Sequence, residues 1–448
     1  MQECDDITFK KRPEWWLMNI SNSNSNSNGS NEDNTPEFAR LPDEVWKNIC
    51  VMVDFRDTIM LSSTCKWLQY VKSTHTHIPY EFVSKMCDDD LVQFTHAKRI
   101  ILSGKIGRVI KHQPYCIIPS LCCVCPNEPI TEKSMNLMTN LTHLGLNAHM
   151  NFTPVYNLNP MEDQTLSLLT NLTTLDLSYN YYITNRSLNC LTNLTDLNLA
   201  QANAVLDLTL LTNLTRLNLV GKYHVNNDTV NGVNNYSVSG LANLTSLDIG
   251  GNDIVSNQTV GRLTNLRTLI LSDNRVITDQ NVSLLTDLTH LGLSSNRNIT
   301  DLSLSRLTNL VKLQLSDNHI ITDRSLCCLT GLTDLDLRYG ATITDQCLGC
   351  LTNLEMLALT SNHTITDRSL SRLTDLTHLT LCSNRKITDL SLSRLTNLVK
   401  LGLNDNWNIT DKSVSLLTNL VELGLMYNSN ITDKSVSLLT NLTNHSSC

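Results

Sequence analysis

The sequence predicts an α/β solenoid with a small all-α module in front of it, and three observations carry that prediction. The phrase Leu-Thr-Asn-Leu, or a close variant, begins at Leu241, Leu263, Leu285, Leu307, Leu329, Leu351, Leu373, Leu395, Leu417 and Leu439, each start 22 residues after the last. Inside each unit an apolar alternation of period two gives way to Ile-Thr-Asp and then Ser-Leu, the change of period expected where a strand hands over to a helical turn. The 448 residues are 41% apolar but only 17% charged and 5% aromatic, against about 25% charged in ordinary globular proteins. A Leu-filled chain so poor in Phe and Trp suits a narrow, repeated interior better than one large core.

Taken in order, residues 1–40 read as a disordered segment, with the low-complexity run SNSNSNSNGS at 21–30 as a flexible linker. Residues 41–75 carry three short amphipathic segments. Pro42 beside the acids Asp43 and Glu44 is good helix-initiation chemistry, because proline lacks the donor that a first turn leaves unpaired and acids favour the positive helix end. So small a bundle needs something to pack against. Residues 76–93 read as a helical connector. The repeat array is expected from about residue 94 to 448 as about sixteen units. Phe94, Ala97, Ile100 and Leu102 make an atypical first unit, and Cys116, Pro119, Cys122, Val124, Asn127 and Ile130 fill the columns of a disguised second one. Further starts fall at Met138, Leu169, Leu191 and Leu211, with insertions near Ala148–Pro160 and Gly221–Tyr236 that are either contact loops or tolerated decoration. No polar capping unit is evident after Leu442.

The unit from Leu263 reads LTNLRTLILSDNRVITDQNVSL. Its strand should bury Leu269 and Leu271 and turn Thr268, Ile270 and Ser272 outward, with Thr278 or Asp279 as cap of the following turn. One unit cannot enclose its own apolar face, so stacking is obligatory.

The template L-x-x-L-x-x-L-x-L-x-x-N resembles the leucine-rich-repeat family. The resemblance implies a horseshoe with a concave parallel sheet that binds protein partners. It also implies a ladder of asparagines satisfying turn backbone, here Asn180, Asn252, Asn274, Asn296, Asn318, Asn362, Asn384, Asn406 and Asn428, lapsing at Ala202, Lys222 and Gly340. The segment at 41–75 resembles an F-box through Leu41, Pro42, Glu44, Ile49, Leu61, Cys65 and Lys66. That resemblance implies docking of these residues to the Skp-type adaptor of a cullin–RING ubiquitin ligase, with the solenoid holding an unknown target protein. The 22-residue unit also resembles internalin-like binding repeats, which leaves a scaffold or adhesin without a ligase link as the alternative.

Target recognition is expected on outward strand positions, among them Lys312, Asp334, Asp336, Arg338 and Tyr339. It is also expected on a column just after the Asn ladder, where Arg275, Arg297, Arg385 and Trp407 recur with His319 and His363. Strand stacking sets successive members roughly 5 Å apart, either a solvated turn column or a track for an acidic or phosphorylated segment. Tyr and Arg are common interface anchors, which singles out the unit at Leu329.

A net charge of −8 argues against capture of nucleic acid by counterion release. No apolar run approaches the roughly 20 residues of a membrane span. His112, Cys116, Cys122, Cys123 and Cys125 could be read as a zinc cluster, but Cys116 and Cys122 fall in buried columns and fit packing better. Cys190, Cys328 and Cys350 share a column that also reads as packing. No nucleophile-and-base motif, phosphate loop or cofactor signature occurs, so the expectation is a non-catalytic protein without metal or cofactor. The N-terminus lacks an apolar signal region, which favours an intracellular protein of cytoplasm or nucleus. The recurring Asn-Leu-Thr sequons are then a by-product of repetition.

Overall fold

The computed structural model describes residues 77–78, 99–101, 136–145, 163–180, 183–202, 207–221, 235–340 and 342–446. The chain divides into two compact units, Met1–Tyr70 and Val71–Cys448, and the described residues all belong to the second. The expected module at 41–75, the cysteines between 116 and 125, and Lys222 lie outside them.

Among the described residues sixteen short strands, numbered in chain order, form one parallel sheet in which each pairs with the next. They begin with β1 (His77–Ile78), β2 (Arg99–Ile101), β3 (His143–Gly145), β4 (Thr174–Asp176), β5 (Asp196–Asn198), β6 (Arg216–Asn218), β7 (Ser246–Asp248) and β8 (Thr268–Ile270). They continue with β9 (His290–Gly292), β10 (Lys312–Gln314), β11 (Asp334–Asp336), β12 (Met356–Ala358), β13 (His378–Thr380), β14 (Lys400–Gly402), β15 (Glu422–Gly424) and β16 (Asn444–Ser446). The register places like on like: Leu269 pairs with Leu247 on one side and Leu291 on the other. Leu269 and Leu271 are fully buried while Thr268, Ile270 and Ser272 are half-buried on the other face, as the alternation requires.

Strands β4, β5 and β7 to β15 each end in a turn whose residue before the ladder position adopts a left-handed conformation, for example Asp273 (φ 51°), Ser295 (φ 55°) and Asp317 (φ 53°). For residues other than glycine this backbone costs about 1–2 kcal/mol. A bond to the next unit holds it in place: the Asp273 amide donates to the Ser294 carbonyl at 2.9 Å. A four-residue helical turn follows, such as Asp301–Leu304, with Thr300 at its N-cap accepting from the Leu302 amide.

Three side-chain ladders tie unit to unit. In the first, buried Asn296 donates to the carbonyls of Leu271 (2.9 Å) and Asn274 (3.2 Å), and its Oδ1 accepts from the amides of Asn298 and Ile299, both at 3.0 Å. In the second, Asp279 accepts from the Thr300 amide (3.0 Å), the Thr300 hydroxyl (2.6 Å) and the Ser303 hydroxyl (2.5 Å) of the next unit. The third uses the sequons themselves: Asn193 Nδ2 donates to the Thr170 carbonyl at 2.9 Å, and the Thr195 hydroxyl to the Thr173 carbonyl at 3.1 Å. Repetition of Asn-Leu-Thr thus has a structural cause, because both polar residues reach into the preceding unit.

The structure departs from expectation in three places. Residues 77–78, placed by sequence in a helical connector, form β1 alongside β2. Ile100 of β2 pairs directly with Leu144 of β3, where the sequence expects a unit between them; that unit, at Cys116, lies outside the described residues. One proline and two cysteines in its apolar columns make its sequence a poor match to the Leu interior. At Ala202 and Gly340, where the asparagine lapses, the turn persists: the Ala202 amide still reaches the Leu199 carbonyl (3.1 Å) and that of Gly340 reaches Leu337 (3.2 Å). The backbone turn therefore needs no asparagine; what is lost at Gly340 is the carboxamide. A recess lined by Asn318, Gly340, Thr342, Ile343 and Asn362 marks the place. At the far end the register runs on through β16, with His445 opposite Leu423.

Candidate functional site

The sheet face opposite the Leu columns presents one residue from each end of every strand, and its charges are largely spent on one another. Lys312 of β10 pairs with Asp334 of β11 at 2.5 Å, Lys400 of β14 with Glu422 of β15 at 2.8 Å, and Arg216 of β6 with Asp196 of β5 at 2.8 Å. Each pair spans neighbouring strands because parallel in-register stacking puts equivalent positions side by side. Exposed pairs of this kind contribute about 0–1 kcal/mol. Their larger effect is to leave the face close to neutral.

The unit at Leu329 concentrates what the sequence nominates. Asp336 at the end of β11 is 8% exposed. Its carboxylate accepts from the Arg338 amide at 3.0 Å and from the Arg338 guanidinium at Nε (2.9 and 3.0 Å) and Nη2 (2.7 Å). This two-pronged clamp raises the Arg338 pKa through hydrogen bonding and charge from Asp336 and fixes the guanidinium in one orientation. Tyr339 follows in the left-handed turn (φ 58°) and stands 53% exposed. A rigid Arg and an open Tyr next to each other are the pairing an interface anchor needs. Lys312, Asp334, Asp336, Arg338 and Tyr339 therefore come together across β10 and β11.

The turn column behaves differently. Arg275 lies 3.7 Å from Asp273 and His319 3.2 Å from Asp317, while Arg297, His363 and Arg385 are exposed. These residues sit one per unit along the edge of the sheet and form a line, not a cluster. Trp407 closes it at 65% exposure, its indole Nε1 donating to the Tyr427 carbonyl at 3.2 Å. Beside Trp407 the structure adds residues that sequence reasoning passed over: Tyr427, 71% exposed, Met426 and, further along the face, Met356. Tyr427 was findable, since it occupies the same left-handed position as Tyr339.

On the helical side Cys190, Cys328 and Cys350 are exposed, not packed as expected. Their column closes the helical turn and points outward, one residue before the buried Leu191, Leu329 and Leu351. Among the described residues no group of three or more His, Cys, Asp or Glu is placed to hold a metal ion, and no helix is long and apolar enough to cross a membrane.

Comparison with known proteins agrees with the register. A family model described as Leucine Rich repeat matches residues 169–191, 240–257, 262–283 and 306–329. No curated protein matches the chain. Among solved structures, an internalin from Listeria monocytogenes is 27% identical, covering 71% of this chain and 89% of its own, at a TM-score of 0.47. A leucine-rich-repeat protein from Leptospira interrogans is 21% identical over 84% of this chain and 97% of its own, at 0.48. The functional domain of InlJ from Listeria monocytogenes, which includes a cysteine ladder, is 23% identical over 80% and 74%, at 0.43. The four matched segments are leucine-rich repeats, and they share their register and their Leu columns with the units around them.

Proposed function

We propose that the solenoid is a non-catalytic scaffold that binds a target protein on its exposed sheet face, centred on β10 and β11 and extending to Trp407. The observation that carries this reading is the Asp336–Arg338 clamp with exposed Tyr339 beside it on a face whose other charges are largely paired. Such a surface offers oriented anchors without a strong field, which suits a protein partner of mixed character and not a polyanion. Proximity labelling in the native cell, comparing wild type with a Tyr339→Ala/Trp407→Ala double variant, tests it. Loss of specific neighbours in the variant supports the sheet face. An unchanged set of neighbours sinks it.

A second reading rests on the motif Leu41-Pro42-x-Glu44 with Ile49, Leu61, Cys65 and Lys66. In it, residues 41–75 tether an intracellular protein, in cytoplasm or nucleus, to a Skp-type adaptor and cullin, and the solenoid presents its target for ubiquitin transfer. Co-purification of adaptor and cullin with wild type, and their loss with Leu41→Ala/Pro42→Ala, is the expected result. No adaptor with wild type leaves the scaffold reading standing alone.

A further inference from the structure

The unit at Leu329 lacks two of the ties its neighbours share. Gly340 supplies no carboxamide where Asn318 and Asn362 supply one, and Cys347 stands where Ser325 and Ser369 donate to the preceding aspartate. Asp323 receives the Thr344 amide (2.9 Å) and hydroxyl (2.5 Å) but has a thiol in the third place. That thiol is fully buried and within hydrogen-bonding reach of Cys327, the residue that closes the preceding unit's helical turn.

The fold gives a separate measure of this juxtaposition. Gly261 and Asn281 occupy the equivalent two positions three units earlier in the array. A β-carbon on Gly261 would lie 3.1 Å from Asn281 Cβ. Disulfides need β-carbons about 3.5–4.5 Å apart, so this step of the stack brings two side chains to bonding separation with only a slight opening.

We propose that Cys327 and Cys347 are a thiol-modification site that closes into a reversible disulfide between adjacent repeats, with a low-molecular-weight disulfide such as oxidised glutathione as oxidant. Cys327 is the more exposed of the two and meets the oxidant first. Its thiolate attacks one sulfur of the small disulfide, forming a mixed disulfide and releasing one small thiol. Cys347 then loses its proton and attacks Cys327 Sγ, expelling the second small thiol. Two protein thiols are oxidised by two electrons, and one small disulfide is reduced to two thiols. Burial, reinforced by Cys327, pushes the Cys347 thiol well above its ordinary pKa, which keeps it from direct reaction with solvent-borne oxidants; its second, intramolecular step is driven by its closeness to Cys327 and not by its acidity. Cys328 and Cys350 lie exposed in the neighbouring column, the Cys350 thiol donating to the Gln346 carbonyl at 3.4 Å. The bond ties together the units that carry β10 and β11 where two ladders lapse.

The test uses the full chain, first reduced and then equilibrated with oxidised glutathione, followed by peptide mapping without reductant and by thermal melting. Trypsin leaves Cys327 with Cys328 and Cys347 with Cys350, so a Cys328→Ser/Cys350→Ser variant isolates the pair. Cys327→Ser and Cys347→Ser install residues that neighbouring units already hold at these positions, such as Ser305 and Ser325, so folding is preserved. The expected result is a cross-linked peptide two hydrogens lighter in wild type and in Cys328→Ser/Cys350→Ser. In both proteins the oxidised form melts several degrees above the reduced one. Cys327→Ser abolishes cross-link and shift together. Absence of the cross-link in Cys328→Ser/Cys350→Ser, glutathione adducts alone, or a shift that survives Cys327→Ser would overturn the proposal.

Discussion

Asn296 makes four hydrogen bonds from a position closed to solvent, two as donor to the preceding turns and two as acceptor within its own. Replacing it strands buried amides and carbonyls together, so Asn296→Ala should lower unfolding stability by about 2–4 kcal/mol, read by urea titration. The converse holds at Gly340, whose φ is not left-handed and whose added β-carbon would meet the Leu337 carbonyl at 3.2 Å, a contact that asks for only a small adjustment. Gly340→Asn should fill the recess and raise stability by about 1 kcal/mol. Asp248 shows the opposite imbalance. Burial pushes its carboxyl up, only partly offset by the Gly250 amide, whereas Asn198 and Asn218 do the same work uncharged. A folded pKa above the unfolded one makes ionisation unfavourable to folding. Asp248→Asn should therefore stabilise at pH 7, with the gain fading as pH falls below the carboxylate range. The Asn ladder was legible in sequence because it recurs at a fixed offset from the Leu columns. The Asp–Thr–Ser ladder was not, because Thr-Asp before an apolar turn is already accounted for by helix capping, and nothing local says the aspartate reaches the next unit.

At the scale of the element, the four-residue turns owe their persistence to that second ladder, since isolated helices so short are not stable. Burial alone would raise Asp345, but hydrogen bonds from Ser369 and Thr366 outweigh it and hold the carboxyl below the usual carboxylate range. Ser435 and Thr432 do the same for half-buried Asp411. With folded values below unfolded ones, this contribution is complete above about pH 4 and is lost as pH falls through the folded values. A chain carrying Asp345→Asn and Asp411→Asn should lose less stability than wild type between about pH 5 and 2 in acid titrations followed by circular dichroism. Strands β3 to β15 were legible from period-two alternation, since each has a Leu at its centre. β1 was not, because His77-Ile78 is two residues long and carries no alternation to read. The recognition surface was legible only as columns. Which charges neutralise one another, Lys312 with Asp334 or Lys400 with Glu422, depends on neighbours 22 residues away and follows only once the register is known.

For the whole solenoid, stability accumulates from contacts between nearest units, so the register matters more than the number of units. Deleting residues 373–394, one full period, should leave the circular dichroism per residue unchanged and lower the melting temperature by a few degrees. Deleting residues 373–383 should unfold the repeats that follow, because every later Leu then meets a polar column. Of the length that ordinarily signals several globular domains, the described residues form one stack in register, and the scarcity of aromatics follows from an interior whose registered Leu columns leave no wide core to fill. The same constancy has a genetic consequence. From Leu263 onward every complete unit offers its successor the same backbone donors, the same aspartate and, almost everywhere, the same carboxamide. Recombination between any two of their coding segments would yield a protein whose ladders still close. Outward residues such as Tyr339, Trp407 and Tyr427 could be shuffled along the gene as cassettes, leaving the fold intact while the binding face is rewritten.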